Sequence, residues 1–358
     1  MIKMDYKEIL KMLVLVSPGT PLRNAIDDIM RGDNGALIFF VQDPKEYVKK
    51  GIIQIGFELN CPFTPNKLYE LAKMDGAIVV SEDLKTIWYA NVHIVPDSTI
   101  PSFETGTRHK TAERLAIQTG KLVVCISQRR KVVTLYRDNW RHMLNDVSFI
   151  VMQMNQGLRA VERYRSNFDK GIASLDIMEI ENRVTLFDVV EVLDRGITVL
   201  QISKGLNFYL AELGNAGTLA KVHLEELLYE VEEILNLLIM DYATEESMGE
   251  EHDPSNVFSS LMGKENVNVD SIASVLGYKE QKAQLFEFMV QPRGYRLLRN
   301  IPRIPMSVAK NMIKRFKNLS GLLNASFDEL TTVEGIGEKR AKAIMNGIIS
   351  LRNRANLR

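Results

Sequence analysis

The apolar pattern of this chain changes period near residue 145, and that change constrains its architecture more than any other feature. Upstream of it, short runs rich in Val, Ile, Phe, Trp and Tyr stand mostly between Gly, Pro, Asn or Asp residues. The spans 36–41, 52–55, 77–80, 87–95, 121–126 and 131–136 are therefore expected strands. Helical patterns fall between them at 66–73 and 108–119, and an amphipathic helix is expected over 5–16, stopped by the turn residues SPGTP. Mixed elements of this kind predict an α/β domain, a mixed twisted sheet flanked by helices, over residues 1–145.

Downstream the period becomes that of helices. Between residues 141 and 288, apolar residues recur every three or four positions. In HLEELLYEVEEILNLLIMDYA, Leu224, Leu227, Leu228, Val231, Ile234, Leu235 and Leu238 form one stripe with the acids opposite, the pattern of a helix–helix seam. Residues 146–290 are expected to be an all-α spacer without chemistry of its own. Within it TEESMGEEHDPSN, centred on residues 244–253, is expected to be a mobile acidic loop.

The last stretch, 291–358, contains an internal repeat. Residues 298–310, LRNIPRIPMSVAK, align without gaps on 330–342, LTTVEGIGEKRAK, at an offset of 32. Ile304 falls on Ile336, Ala309 on Ala341 and Lys310 on Lys342. Each copy predicts a short helix, a tight turn and a basic helix, so this part is expected to be all-α and tandem.

Composition narrows the setting. A chain of 358 residues is long enough for about two to three domains. Its two cysteines, Cys61 and Cys125, cannot build a disulfide framework or a structural zinc cluster. The apolar run near the start, Met12 to Val16, is five residues, too short for a signal core. The longest run elsewhere, 36–41, is far below a membrane span. A cytoplasmic protein without membrane contact is expected. The formal net charge of zero conceals a strong asymmetry. Residues 291–358 hold 14 Lys and Arg against 4 Asp and Glu, a net of +10, whereas residues 221–253 hold 1 Lys against 11 acids. A basic module on an otherwise neutral or acidic body points to a nucleic-acid partner.

The segment VEGIGEKRAKAI, residues 333–344, resembles the helix–hairpin–helix motif, and the doubled copy resembles its tandem form. Gly335, Ile336 and Gly337 form the hairpin. The two glycines tolerate positive φ and let a backbone partner come close. Amides at the start of the following helix favour a phosphate, and Lys339, Arg340 and Lys342 add charge. None of these groups is suited to reading base edges, so DNA binding is expected to be sequence-independent and salt-sensitive. In the first copy Arg303 and Pro305 occupy the glycine positions. Proline offers no N–H, so that copy is expected to be structural, with Arg303 supplying charge.

Two segments of the first domain carry candidate chemistry. Asp75 and Gly76 immediately precede the apolar strand that begins at Ala77. Thr107, Arg108, His109, Lys110 and Thr111 open a helix after a Gly-Thr turn, an arrangement suited to cradling phosphates. Asp75 offers a carboxylate for a divalent ion. A further basic patch, Ser127 to Lys131, follows the strand expected at 121–126. By residue type alone an Asp-Gly pair equally describes a turn, and a threonine before a helix equally describes an N-cap. There is no Walker A loop, GxGxxG, HExxH or nucleophile elbow.

Asp75-Gly76-Ala77 and Thr107-Arg108-His109 with Thr111 resemble the paired motifs of the diadenylate cyclase domain. That domain, a helical spacer and a terminal helix–hairpin–helix unit together resemble the family of bacterial DNA-integrity scanning proteins over essentially the whole chain. The one variation is Lys110, where arginine is common. The resemblance implies condensation of two ATP molecules to cyclic di-AMP and two pyrophosphates, with cyclase domains of two subunits facing each other. It implies that Asp75 holds Mg²⁺ or Mn²⁺ and assists loss of the 3′-hydroxyl proton, with Gly76 allowing close approach to the nucleotide. It also implies that Thr107, Arg108, His109 and Thr111 bind the β- and γ-phosphates. More loosely, it implies that Ile94 lines the adenine pocket and that Ser127 and Arg130 touch the nucleotide from the rim. A homo-octamer associated with the nucleoid, in which DNA regulates the cyclase, is the further implication. Two other readings stay open at this point: a DNA-binding scaffold whose first domain has lost catalysis, and a structure-specific nuclease. The second would need converging carboxylates, and the acids of 225–253 follow helical spacing instead.

Overall fold

Strand β1, Ala36–Phe40, is buried at every position, as a strand covered on both faces must be. The computed structural model, which describes residues 5–249, 253–263, 268–279, 282–302 and 304–356, places it at the centre of an eight-stranded sheet. The first unit comprises residues 1–155 and 207–221. Before β1 come α1 (Tyr6–Leu15) and α2 (Pro21–Arg31). After it come α3 (Lys45–Lys49), β2 (Ile53–Gln54), β3 (Phe57–Pro62), α4 (Pro65–Leu71), β4 (Ala77–Val80) and β5 (Thr86–Ile94). Helix α5 (Thr107–Thr119) and strands β6 (Val123–Ser127), β7 (Val132–Arg137) and β8 (Trp140–Met143) complete the domain.

The strand order is β2-β5-β4-β1-β6-β7-β8, with β3 pairing β5 beside β2. Only β1 and β4 run parallel; their register sets Leu37 against Ala77 and Phe40 against Val80. Alternation along β1 separates two cores. Ala36, Ile38 and Phe40 pack with residues of α1, α2 and α4, such as Met12, Ile26 and Leu68. Leu37 and Phe39 face the other way and pack with Ala112, Leu115 and Ala116 of α5. Each fully buried Leu, Ile, Val or Phe contributes about 1.5–3 kcal/mol relative to its exposed state. The α/β architecture expected from the sequence is the one observed. Strands β3 and β8 and helices α2 and α3 were not anticipated. β3 and β8 are edge strands with no fully buried position, so neither shows the buried signature.

The second unit comprises residues 156–206 and 222–358 and is helical. Most of the long helices α6 (Val147–Ile180) and α7 (Leu186–Leu213) belongs to it, the start of α6 and the end of α7 being assigned to the first unit. The stripe expected over residues 224–238 does not lie on one helix. It is divided between α8 (Thr218–Leu228) and α9 (Val231–Tyr242), because Glu230 takes a left-handed φ of 61° and breaks the hydrogen-bond ladder. The acidic stretch is not wholly loop: α10 (Glu245–Met248) forms within it, N-capped by Thr244, and residues 250–252 lie outside the described set. Then follow α11 (Ser255–Met262), α12 (Val269–Val275) and α13 (Lys282–Leu285).

The terminal segment is α14 (Tyr295–Arg299), α15 (Met306–Phe316), α16 (Leu319–Leu323), α17 (Phe327–Thr331) and α18 (Glu338–Asn356). Adding the offset of 32 to the bounds of α14 gives those of α17, and the start of α15 gives the start of α18. The repeat is one of packing: Ala309 and Ala341 are both buried in a single cluster, against which Ile304 also packs and in which Ile336 is buried. No described helix is long and apolar enough to cross a membrane.

Candidate functional site

Helix α5 begins at a glycine. Its N-cap is Gly106, which has no side chain to accept the first-turn amides, so the expected hydroxyl cap is not present. The first-turn N–H groups are thus left for an external acceptor, the condition under which a helix start holds an anion. Thr107, Arg108 and Thr111 turn one face of this first turn toward a cavity of about 350 Å³. Gly76 and Ala77, at the start of β4, form part of its wall. The remainder is Leu37 of β1 with Val92, His93 and Ile94 of β5, so the wall is apolar with a cationic and hydroxyl edge. Adenine-sized aromatic rings and phosphates need that pairing.

Arg108 is half-buried and makes no hydrogen bond or ion pair among the described residues. A guanidinium held this way is pre-organised for an anion. Its place depends on Gly35, just before β1. A methyl group at Gly35 would collide with Arg108 Nη1 and lie 2.9 Å from Ile126 O and 3.2 Å from Gln128 N. Gly35 and His93 are site residues that sequence reasoning missed. A glycine at a strand entrance carries no chemical signature, and His93 was hidden within a strand pattern.

Gly76 has φ of 91°, and a side chain there would press to 2.9 Å on Asn91 C and Val92 O. Its lack of a Cβ therefore serves the close passage of β4 against β5, a role the sequence reading had assigned to the nucleotide. Asp75 is exposed beside Gly76 and forms no ion pair among the described residues. No group of three or more His, Cys, Asp or Glu placed to hold a metal occurs among the described residues. One free carboxylate fits a Mg²⁺-like ion that takes its other ligands from phosphates and water, and does not fit a protein-enclosed metal.

His109 points away from the cavity. It shares the buried face of α5 with Ala112 and Ala116, at helical spacing. Its Nδ1 lies 2.9 Å from the Tyr136 hydroxyl, which donates to Glu104 Oε1 at 2.8 Å. Arg141 Nε donates to the same Glu104 oxygen at 2.8 Å. A hydroxyl has one proton; with that proton on Glu104, the imidazole carries its own on Nδ1 and presents Nε2 as an acceptor. Nε2 is buried without a partner. Burial holds the imidazole pKa below its ordinary value, against the opposing effect of Glu104 and with smaller contributions from nearby arginines. His109 is therefore a neutral brace for the start of α5, and the spacing to Ala112 and Ala116 was the available signal. Lys110 is exposed and outside the cavity wall. Ser127 and Arg130 also lie outside it; the Arg130 amide donates to Ser127 Oγ at 3.2 Å and its guanidinium to Thr105 Oγ1 at 3.1 Å, tying that loop to the one before α5.

At the other end of the chain, Gly335 takes φ of 87° in the hairpin between α17 and α18. Gly337 does not need the left-handed region, and a side chain there would meet open space. Arg340 is turned back onto the hairpin, donating from Nη1 to Gly335 O at 2.6 Å. Ile336 is buried in the core, so its side chain does not belong to an outward surface. Lys339 and Lys342 are exposed, as is Lys310 of the first copy. Pro305 is the N-cap residue of α15 and makes no side-chain cap bond, consistent with a structural first copy. Arg303 lies outside the described residues.

Known protein families match three successive stretches of the chain. A family described as the DisA bacterial checkpoint controller nucleotide-binding region matches residues 23–140. Its linker region matches 144–285, and a helix–hairpin–helix motif family matches 296–355. The DNA integrity scanning protein of Thermotoga maritima is 48% identical over 349 residues, covering 97% of this chain and 97% of that protein. The protein of the same name from Clostridium tetani is 42% identical over 350 residues, covering 98% and 95%. The chain therefore belongs to the DNA integrity scanning protein family and carries that family's diadenylate cyclase domain.

Proposed function

We propose that the chain condenses two ATP molecules to cyclic di-AMP and two pyrophosphates, using two copies of the cavity brought face to face by two subunits. The observation that carries this reading is the wall itself. It gathers Gly76, Ala77, Ile94, Thr107, Arg108 and Thr111, from three separate stretches of sequence, into one cavity of about 350 Å³. Leu37, Val92 and Ile94 supply an apolar slot for adenine. Arg108, the Thr107 and Thr111 hydroxyls and the uncapped amides of α5 take the β- and γ-phosphates. Charge that develops on pyrophosphate as it leaves is neutralised there, which is most of what a phosphoryl-type transfer asks of a protein.

In each half-reaction the 3′-oxygen of one adenosine forms a bond to the α-phosphorus of the other ATP. The bond from that phosphorus to the β-bridging oxygen breaks, pyrophosphate departs with the electron pair, and the 3′-hydroxyl proton is lost. Two such events close the ring. Asp75 is exposed and precedes Gly76 of the cavity wall without being part of that wall; its free carboxylate is suited to accept that proton and to hold Mg²⁺ or Mn²⁺. A divalent ion bound there would offset triphosphate charge. His109 contributes by position: neutral and hydrogen-bonded to Tyr136, it sets the angle at which α5 presents its first turn.

The scheme needs at least two subunits, and a symmetric assembly such as an octamer provides facing pairs. The helix–hairpin–helix end binds DNA through phosphates, with Lys339, Lys342 and the hairpin amides as contacts and Arg340 holding the hairpin shape. Binding of branched or damaged DNA there regulates the cyclase, and the protein resides with the nucleoid. The test is incubation of the full chain with ATP and either metal, followed by chromatographic separation of nucleotides. The expected result is a cyclic dinucleotide from the wild type and none from Asp75→Asn. Absence of product with both metals would overturn the proposal.

A further inference from the structure

We infer that the cyclase domain has a second small-molecule site, for a ligand with an anionic head and a compact apolar body, at the end of β1 and β4 opposite the nucleotide cavity. A cavity of about 320 Å³ opens there. Its floor is Met12 and Leu15 of α1 with Phe40 and Leu122. The register of the parallel pair separates the two cavities: Leu37 and Ala77 belong to the first, and Phe40, three residues further along β1, belongs to the second. At about 3.3 Å per residue, that spacing is roughly 10 Å along the strand. The second cavity lies outside the carboxyl ends of the parallel strands, where open α/β sheets ordinarily receive ligands. The cyclase cavity occupies the other end, which leaves this one without a role in the reaction.

The charges around the cavity point to an anion. Lys121 is matched by Glu82 at 2.9 Å. Lys11 is exposed and has no partner among the described residues. Arg137 approaches Glu8 at only 3.6 Å, beyond hydrogen-bond distance, and its Nε is buried with no partner. A buried guanidinium donor left unmatched is uncommon, because desolvating it without a hydrogen bond is costly. The Glu82 hydrogen bond raises the Lys121 amine above its ordinary value, against burial and the charge of neighbouring Arg137. A carboxylate or phosphate entering between Lys11 and Arg137 would pair with the exposed ammonium and with the accessible part of the guanidinium, and would offset the one cation in excess over Glu8 and Glu82. The apolar floor then sets the rest of the ligand. Met12, Leu15, Phe40 and Leu122 together offer an apolar surface suited to one small ring.

Two probes share this chemistry and separate its head groups: benzoate and phenyl phosphate. Each is titrated into the full chain by ligand-observed NMR, with α,β-methylene-ATP present at saturation to fill the cyclase cavity. The expected result is saturable binding of at least one probe, undiminished by the ATP analogue. It should weaken about tenfold or more in Arg137→Met, which keeps the aliphatic stem. Lys11→Gln alters only an exposed side chain and should weaken binding several-fold, while Leu15→Trp should fill the floor and abolish it. Arg108→Met, in the other cavity, should leave binding unchanged. No saturable binding of either probe would overturn the inference. So would displacement by the ATP analogue, or equal binding by wild type and Lys11→Gln. These results leave the cyclase reading untouched, since that reading rests on product formation.

Discussion

Gly35→Ala tests whether Arg108 is held for phosphate by the backbone beneath it. The added methyl group would overlap Arg108 Nη1 and approach Ile126 O to 2.9 Å and Gln128 N to 3.2 Å. Two of these neighbours are backbone in and just beyond β6 and cannot yield far, so the guanidinium must move. Overpacking of this kind costs about 1–3 kcal/mol of stability. Displacing one charge-assisted contact to phosphate costs about 1.5–3 kcal/mol, which is roughly a 10- to 150-fold fall in kcat/KM. The assay is cyclic di-AMP formation by the full chain, with thermal unfolding recorded alongside. A double-mutant cycle separates the two effects. In an Arg108→Ala background the guanidinium is gone, and Gly35→Ala should then change kcat/KM less than about twofold. An undiminished rate for Gly35→Ala in the otherwise wild-type chain would refute the reasoning. So would a full additional loss in the Arg108→Ala background.

Other outcomes follow from the same contacts. Burial depresses the His109 pKa, so the folded domain favours the neutral ring; the stability this lends is present above the unfolded value near 6.5 and is lost as pH falls through the folded value. The first unfolding transition in calorimetry should thus fall in temperature as the solution is acidified from about 6.5 toward the folded value, and His109→Gln should flatten the slope there; an unchanged slope would place the titrating group elsewhere. The double variant Lys339→Gln, Lys342→Gln should reduce the slope of log affinity for duplex DNA against log salt by about 2, measured by fluorescence anisotropy. An unchanged slope would show that neither lysine touches phosphate. Gly335→Ala forces a side chain into φ of 87° with Val308 Cγ2 at 3.1 Å, and should weaken DNA binding while the cyclase rate without DNA stays at wild-type level.

The sheet was largely legible because most of its strands are buried on both faces and punctuated by turns. β1 is the clearest case, apolar at all positions and buried at all of them. The edge strands β3 and β8 were not legible, since short, partly exposed strands interrupted by Glu58 and Asn60 or by Arg141 and His142 carry little hydrophobic signal. The tandem repeat was visible to the residue, because the same buried positions recur, as Ala309 and Ala341 do. Within the site, residue types gave the inventory and not the orientation. Thr107, Arg108 and Thr111 reach the cavity, whereas His109, between them in sequence, lies on the other face of the helix. Helical spacing contained that answer: His109, Ala112 and Ala116 mark the core side. The break at Glu230 was not legible, because a left-handed acidic residue inside an unbroken apolar stripe leaves no mark on periodicity. Gly35 was invisible for a related reason: its importance lies in what surrounds it, and those neighbours come from β6 and α5.

The most direct test of the account is whether the reaction needs two intact cavities at once. Wild-type and Asp75→Asn subunits are co-expressed in varied ratios, purified as mixed assemblies, and assayed for cyclic di-AMP from ATP. If two facing subunits each supply an essential half, activity falls with the square of the wild-type fraction. A linear fall, with product still formed in proportion to wild-type subunits, would contradict the facing-cavity scheme.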